Sequence, residues 1–102
     1  MKECCKAYLD EQFGGDADVM AEIYGEYVSS VQVKLSEADA ALAASEWPRL
    51  DKIAHTIKGN ALAAGDEDMA NTAIELRKAA TLGDAALSAK LVDNLKELAK
   101  LL

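Results

Sequence analysis

Residues 47–65 read Trp-Pro-Arg-Leu-Asp-Lys-Ile-Ala-His-Thr-Ile-Lys-Gly-Asn-Ala-Leu-Ala-Ala-Gly. Trp47, Leu50, Ala54, Ile57, Ala61 and Ala64 recur at steps of three and four, the spacing that lines one face of an α-helix with apolar side chains. Pro48 fits a first helical turn, where a missing N–H has no partner to lose. Ser45, just before the stretch, is the expected N-cap. Gly65 is the residue type that ends a helix in the left-handed conformation. The stretch therefore predicts an amphipathic helix over about 46–64.

The same logic extends outward in both directions. Gly14-Gly15-Asp16, Gly65-Asp66 and Gly83-Asp84 each place a helix stop before an acidic N-cap. They divide the chain into a short leading helix, about 2–13, and longer helices at about 16–44, 46–64, 66–82 and 84–101. Met20, Tyr24, Tyr27, Val31, Leu35, Ala38 and Leu42 form the apolar stripe of the first long helix. Met69, Ala73, Leu76 and Ala80 serve the third, and Leu87, Leu91, Leu95, Leu98 and Leu102 the last. Short connections make consecutive helices antiparallel neighbours. The expected fold is all-α, an antiparallel up-down four-helix bundle, with Tyr8, Leu9 and Phe13 of the leading helix over one end. Residues 1–102 are expected to form a single domain around one core.

Composition removes several function classes. Eighteen acidic residues against eleven basic ones give a net charge of −7, which argues against a nucleic-acid partner and for a monomer kept apart by repulsion. Cys4 and Cys5 are adjacent, unlike a redox or zinc Cys-x-x-Cys pair, and are expected to be reduced. No apolar run has the length of a membrane span or a signal peptide, so no membrane partner is expected and a cytoplasmic location is. No glycine-rich phosphate loop precedes a Lys-Ser or Lys-Thr pair, so autonomous ATP-dependent kinase activity is not expected.

His55 is the only histidine. One imidazole without clustered carboxylates or cysteines supplies too few ligands for a metal, and no glycine-flanked serine suggests a hydrolase triad. At about 100° per residue His55 lies about 130° from the centre of its helix's apolar stripe, facing solvent. A neutral imidazole attacks phosphorus without prior deprotonation. Lys58, and more weakly Lys52, would offset the charge of a bound phosphoryl group. Gly59, one turn on, removes a side chain where a partner surface must approach. Leu62, read as lying at the margin of the apolar stripe, is a docking candidate, with Val28 or Val33 of the preceding helix as a further apolar rim. From spacing alone, a surface histidine beside a lysine is ordinarily without function.

These residues resemble the core of histidine-containing phosphotransfer (HPt) domains. The family signature is Ala-His-x-Leu-Lys-Gly, followed by small residues and a glycine; here it stands as Ala54-His55-Thr56-Ile57-Lys58-Gly59. Phe13-Gly14-Gly15-Asp16, the long second helix and the Gly83-Asp84 turn also fall where that family has comparable features. Ile57 replaces the usual leucine, Asn60 stands where serine is frequent, Asp66 where alanine is common, and Arg77 where glutamate often follows Leu76. The resemblance implies that His55 is the phospho-accepting nucleophile, that Lys58 stabilises the phosphoryl group and that Gly59 admits the partner. It implies relay between His55 and aspartates of receiver domains in a two-component phosphorelay, with response-regulator receiver domains and a hybrid histidine kinase as partners. No cofactor is expected on this chain; magnesium is expected on the receiver. Two other readings are a noncatalytic helical adaptor and a ligand- or metal-binding four-helix protein, the latter requiring inward-facing polar ligands.

Overall fold

A computed structural model describes all 102 residues as five helices with no strand: α1 Glu3–Phe13, α2 Ala17–Ala43, α3 Trp47–Ala64, α4 Glu67–Thr81 and α5 Ala85–Ala99. The expected boundaries fall within two residues of these. Asp16, Asp66 and Asp84 act as N-caps, their carboxylates accepting from the backbone N–H of Val19, Met69 and Leu87.

Ser45 does not cap α3. It adopts φ 54°, the left-handed conformation, and α3 starts after Glu46, whose side chain makes no capping hydrogen bond. Its place is the same as that of Gly65 and Gly83. Ser45 N–H donates to Leu42 O and Glu46 N–H to Ala41 O, while Gly65 and Asp66 donate to Leu62 and Ala61, and Gly83 and Asp84 to Ala80 and Ala79. This paired bonding closes a helix by satisfying two of its last carbonyls. The closing pattern at the end of α2 thus takes the serine that would otherwise open α3, at a cost of about 1 kcal/mol for a non-glycine residue in this conformation.

Contacts of α3 with α2 and α4, and of α5 with α4 and α2, close a ring of four helices, with α1 lying against α2 and α3. Twenty-four buried apolar residues form one cluster inside this helical bundle. Leu50, Ile57, Met69, Leu76 and Leu95 are among its largest fully buried side chains, each worth about 1.5–3 kcal/mol in apolar burial. Alanines dominate the α3 and α4 faces, including Ala54, Ala61, Ala70 and Ala73, so the backbones can approach closely. On α2 it is Ala41 that is buried, with Leu42 only half-buried. Leu87 is 41% exposed, and Ser88 is buried instead. The buried set of α5 is Ser88, Leu91, Val92 and Leu95, which places Leu87 about 90° away from its centre.

One end of the bundle is fastened by a polar knot. Fully buried Asp66 accepts from Tyr27 Oη at 2.7 Å and Lys2 Nζ at 2.8 Å, besides the capped Met69 N–H. Lys2 N–H donates to Tyr24 Oη at 3.1 Å. Tyr8 packs over Gly65, where an added Cβ would overlap the Tyr8 Cβ and ring. Together these contacts hold the start of α1 to α2 and to the turn between α3 and α4. Leu9 and Cys5 of α1 enter the core, whereas Tyr8 and Phe13 stay partly exposed. Both cysteines are free thiols.

Candidate functional site

The buried face of α3 consists of Leu50, Ile53, Ala54, Ile57, Ala61 and Ala64. His55 is exposed on the other side. Its Nδ1 lies 3.1 Å from Arg77 Nη1 of α4, and Arg77 Nε donates to Asp51 Oδ1 at 2.9 Å. Asp51 and His55 are one turn apart on the same strip of helix, so the guanidinium reaches both at once. No protein group bonds Nε2 of His55. Across α3, Asn60 Nδ2 donates to Ser30 Oγ at 2.7 Å, tying that flank to α2. The histidine edge of α3 is therefore the edge turned toward α4.

Along that edge runs an open groove of about 680 Å³. Lys58, Arg77 and Lys78 contribute three cations to its walls, Asp51 one carboxylate, and Ile74 and Leu82 apolar surface. In a chain of net charge −7 this is a local reversal of sign beside the imidazole. Lys58 is half-buried and Lys52 exposed, and neither forms an ion pair. Both ammonium groups are free to meet an anion.

A Cβ built on Gly59 meets nothing within 4 Å. The fold has no steric need for glycine there, and glycine within a helix costs about 1 kcal/mol relative to alanine. Leu62 is 51% exposed. It lies seven residues, two turns, beyond His55 on the same outward face, rather than at the margin of the apolar stripe. Val33 is 56% exposed, while Val28 packs half-buried against the core, which leaves Val33 as the exposed member of that pair.

The reading from sequence missed the Asp51–Arg77–His55 chain. Asp51 was accessible to it, standing four residues before His55. Arg77 was not, because a separation of 22 residues carries no signal until α3 and α4 are docked.

The family model for the Hpt domain matches residues 22–102. The chain belongs to the Hpt domain family. No curated protein and no solved structure matches it. The match begins inside α2 and takes in α3, α4 and α5, so it falls on the four-helix ring; α1 lies before it. Members of this family act in histidine phosphotransfer and generally interact with receiver domains. No group of three or more His, Cys, Asp or Glu side chains comes together as a metal site. No helix is long and apolar enough to cross a membrane.

Proposed function

We propose that this Hpt domain relays phosphoryl groups between His55 and the aspartates of receiver domains in a two-component phosphorelay, with response regulators and a hybrid histidine kinase as partners. The observation that carries the reading is the exposed imidazole with an unbonded Nε2 beside a groove walled by Lys58, Arg77 and Lys78. In the forward step a lone pair of His55 attacks the phosphorus of an aspartyl phosphate. The N–P bond forms, the P–O bond breaks, and the aspartate carboxylate leaves with its electron pair. Lys58, and Lys52 from the more exposed side, offset the phosphoryl charge through charge-assisted hydrogen bonds. The receiver brings its own magnesium, and this chain holds no cofactor.

Docking is expected over Gly59 and Leu62, with Val33 at the rim. A relay must release its partner quickly, which fits an interface of about 1,200 Å² or less. An up-down antiparallel course for α2 to α5 belongs to the same proposal. It is supported by the short turns and by Arg77, near the end of α4, reaching Asp51, near the start of α3. So does a monomeric, cytoplasmic protein forming one domain.

The test is transfer from a set of phosphorylated receiver domains to the native chain and to His55→Gln, scored as acid-labile, alkali-stable label. Label on the native chain that disappears in the variant supports the relay. No label from any competent donor, with helical content intact, would favour an adaptor that binds a signalling partner without phosphorylation.

A further inference from the structure

Arg77 carries five N–H donors and no acceptor. A hydrogen bond between its Nη1 and His55 Nδ1, 3.1 Å apart, therefore runs one way only: Arg77 donates and Nδ1 accepts through its ring lone pair. A neutral imidazole has one protonated and one unprotonated nitrogen. With Nδ1 accepting, the proton sits on Nε2, the nitrogen with no partner in the chain. In that tautomer Nε2 has no lone pair to offer phosphorus. Nδ1 has one, but it lies next to the Cβ branch and is covered by the guanidinium. Asp51, bonded to Arg77 Nε at 2.9 Å, keeps the guanidinium in this position.

We propose that Arg77 is a positioning residue that holds His55 in the Nε2–H tautomer at rest, so that Nε2 becomes a nucleophile only when Arg77 lets go of Nδ1. This rests on the phosphotransfer reading above. The productive tautomer carries its proton on Nδ1, which would face an Arg77 N–H as donor against donor, so the guanidinium must move. Its side chain is about one-third exposed on the groove wall, within reach of an anionic partner. The carboxylates of a docking receiver, or the phosphoryl oxygens themselves, provide acceptors that draw it away.

The proton and bond changes then close. Solvent exchanges the ring proton from Nε2 to Nδ1, and Nε2 attacks. The Nε2–P bond forms, the aspartyl P–O bond breaks, and the Nδ1 proton passes to water. The Nδ1 lone pair is again an acceptor, and Arg77 returns to it. The same contact thus suits resting histidine and neutral-ring phosphohistidine, and opposes the protonated-Nδ1 state that transfer in either direction passes through. Docking, rather than collision with any phosphodonor, would set the rate.

Because His55 is the only histidine, ring-¹⁵N histidine labelling of the full chain reports a single imidazole. In alkaline buffer, where imidazoles are neutral, the native spectrum should show an unprotonated Nδ1 and a protonated Nε2. Arg77→Met should give a mixture, and Arg77→Glu, which accepts from Nδ1–H, should reverse the pattern. Single-turnover transfer from a phosphorylated receiver should be faster in Arg77→Met by about tenfold, the rate equivalent of one hydrogen bond to a charged group. A proton on Nδ1 in the native chain, identical ring shifts in native and Arg77→Met, or slower transfer in Arg77→Met would each overturn the proposal. The last result would make Arg77 a phosphoryl-binding cation instead. Label on the native chain with unmoved ring shifts removes the tautomer control alone. No label on any variant removes phosphotransfer and with it any such role for Arg77, whatever the ring spectrum shows.

Discussion

Two three-residue polar chains flank the α3–α4 pair, and they are built from the same parts: a carboxylate, a cation and an aromatic ring. At one end Asp66 binds Lys2 and Tyr27; further along, Asp51 binds Arg77, which binds His55. Asp66 is fully buried, and the Lys2 side chain is 14% exposed. Asp51 and Arg77 keep about a third of their side-chain surface in water, and His55 is exposed. A buried chain has no solvent to replace a lost partner, so it fixes geometry. A half-wet chain exchanges partners cheaply, so it can serve a reaction. Composition is shared; hydration separates the fastening from the working site.

The largest effect that could break this contrast comes from deleting the two carboxylates. Asp66→Ala leaves the Lys2 ammonium and the Tyr27 hydroxyl without their acceptor and removes the cap of α4. We expect a loss of roughly 3–5 kcal/mol in urea unfolding, the range for breaking a buried ion pair. Asp51→Ala should cost under about 1 kcal/mol, because water and salt already screen that pair. Equal losses at the two positions would mean that hydration is not what distinguishes them.

Alkaline titration sharpens the same contrast without mutation. Burial pushes the Cys5 thiol up from 9.0 to about 12, with the charge of Asp66 adding to it. Burial likewise raises the Tyr27 hydroxyl, reinforced by its hydrogen bond to Asp66. Burial works against the Lys2 ammonium, but the hydrogen bond and charge of Asp66 more than offset it, and its pKa rises above 10.5. All three groups hold their protons more tightly folded than unfolded, so their stabilisation is complete below the unfolded pKa values and fades as pH climbs. The urea midpoint should therefore fall from about pH 9 upward, with the Cys5 contribution lost by about pH 12. In Asp66→Ala the decline should be shallower. A midpoint that stays level through this window would show that the knot does not couple these protons to folding.

Much of the fold was legible because helix punctuation is local. Gly14-Gly15, Gly65 and Gly83 each run directly into an aspartate, and stop and cap are read within a few residues of chain. Ser45 was misread for the same reason. Either neighbouring helix could use it, and only the hydrogen bonds to Leu42 and Ala41 decide that α2 does. Leu87 was misplaced because a leucine repeat identifies a helix but not the face turned to two neighbours at once. At the site, the solvent-facing position of His55 and Gly59 followed from helical phase alone. Arg77 and the Asp66 knot did not, since each joins residues far apart in sequence, and such pairings exist only after the helices have docked.

Gly59 offers the smallest effect and the cleanest separation of stability from function. A methyl group there meets nothing within 4 Å, so Gly59→Ala removes backbone freedom from the unfolded chain without adding strain. It should raise stability by about 0.5–1 kcal/mol. If a receiver closes on α3 at this point, Gly59→Gln should slow transfer to His55 while unfolding no more easily than the native chain. The opposite signs are the informative part: a position relaxed for the isolated protein yet intolerant of bulk in the relay is one whose constraint comes from the partner. Stability gained in Gly59→Ala together with unchanged transfer in Gly59→Gln would instead place the docking surface elsewhere, toward the groove walled by Lys58 and Lys78.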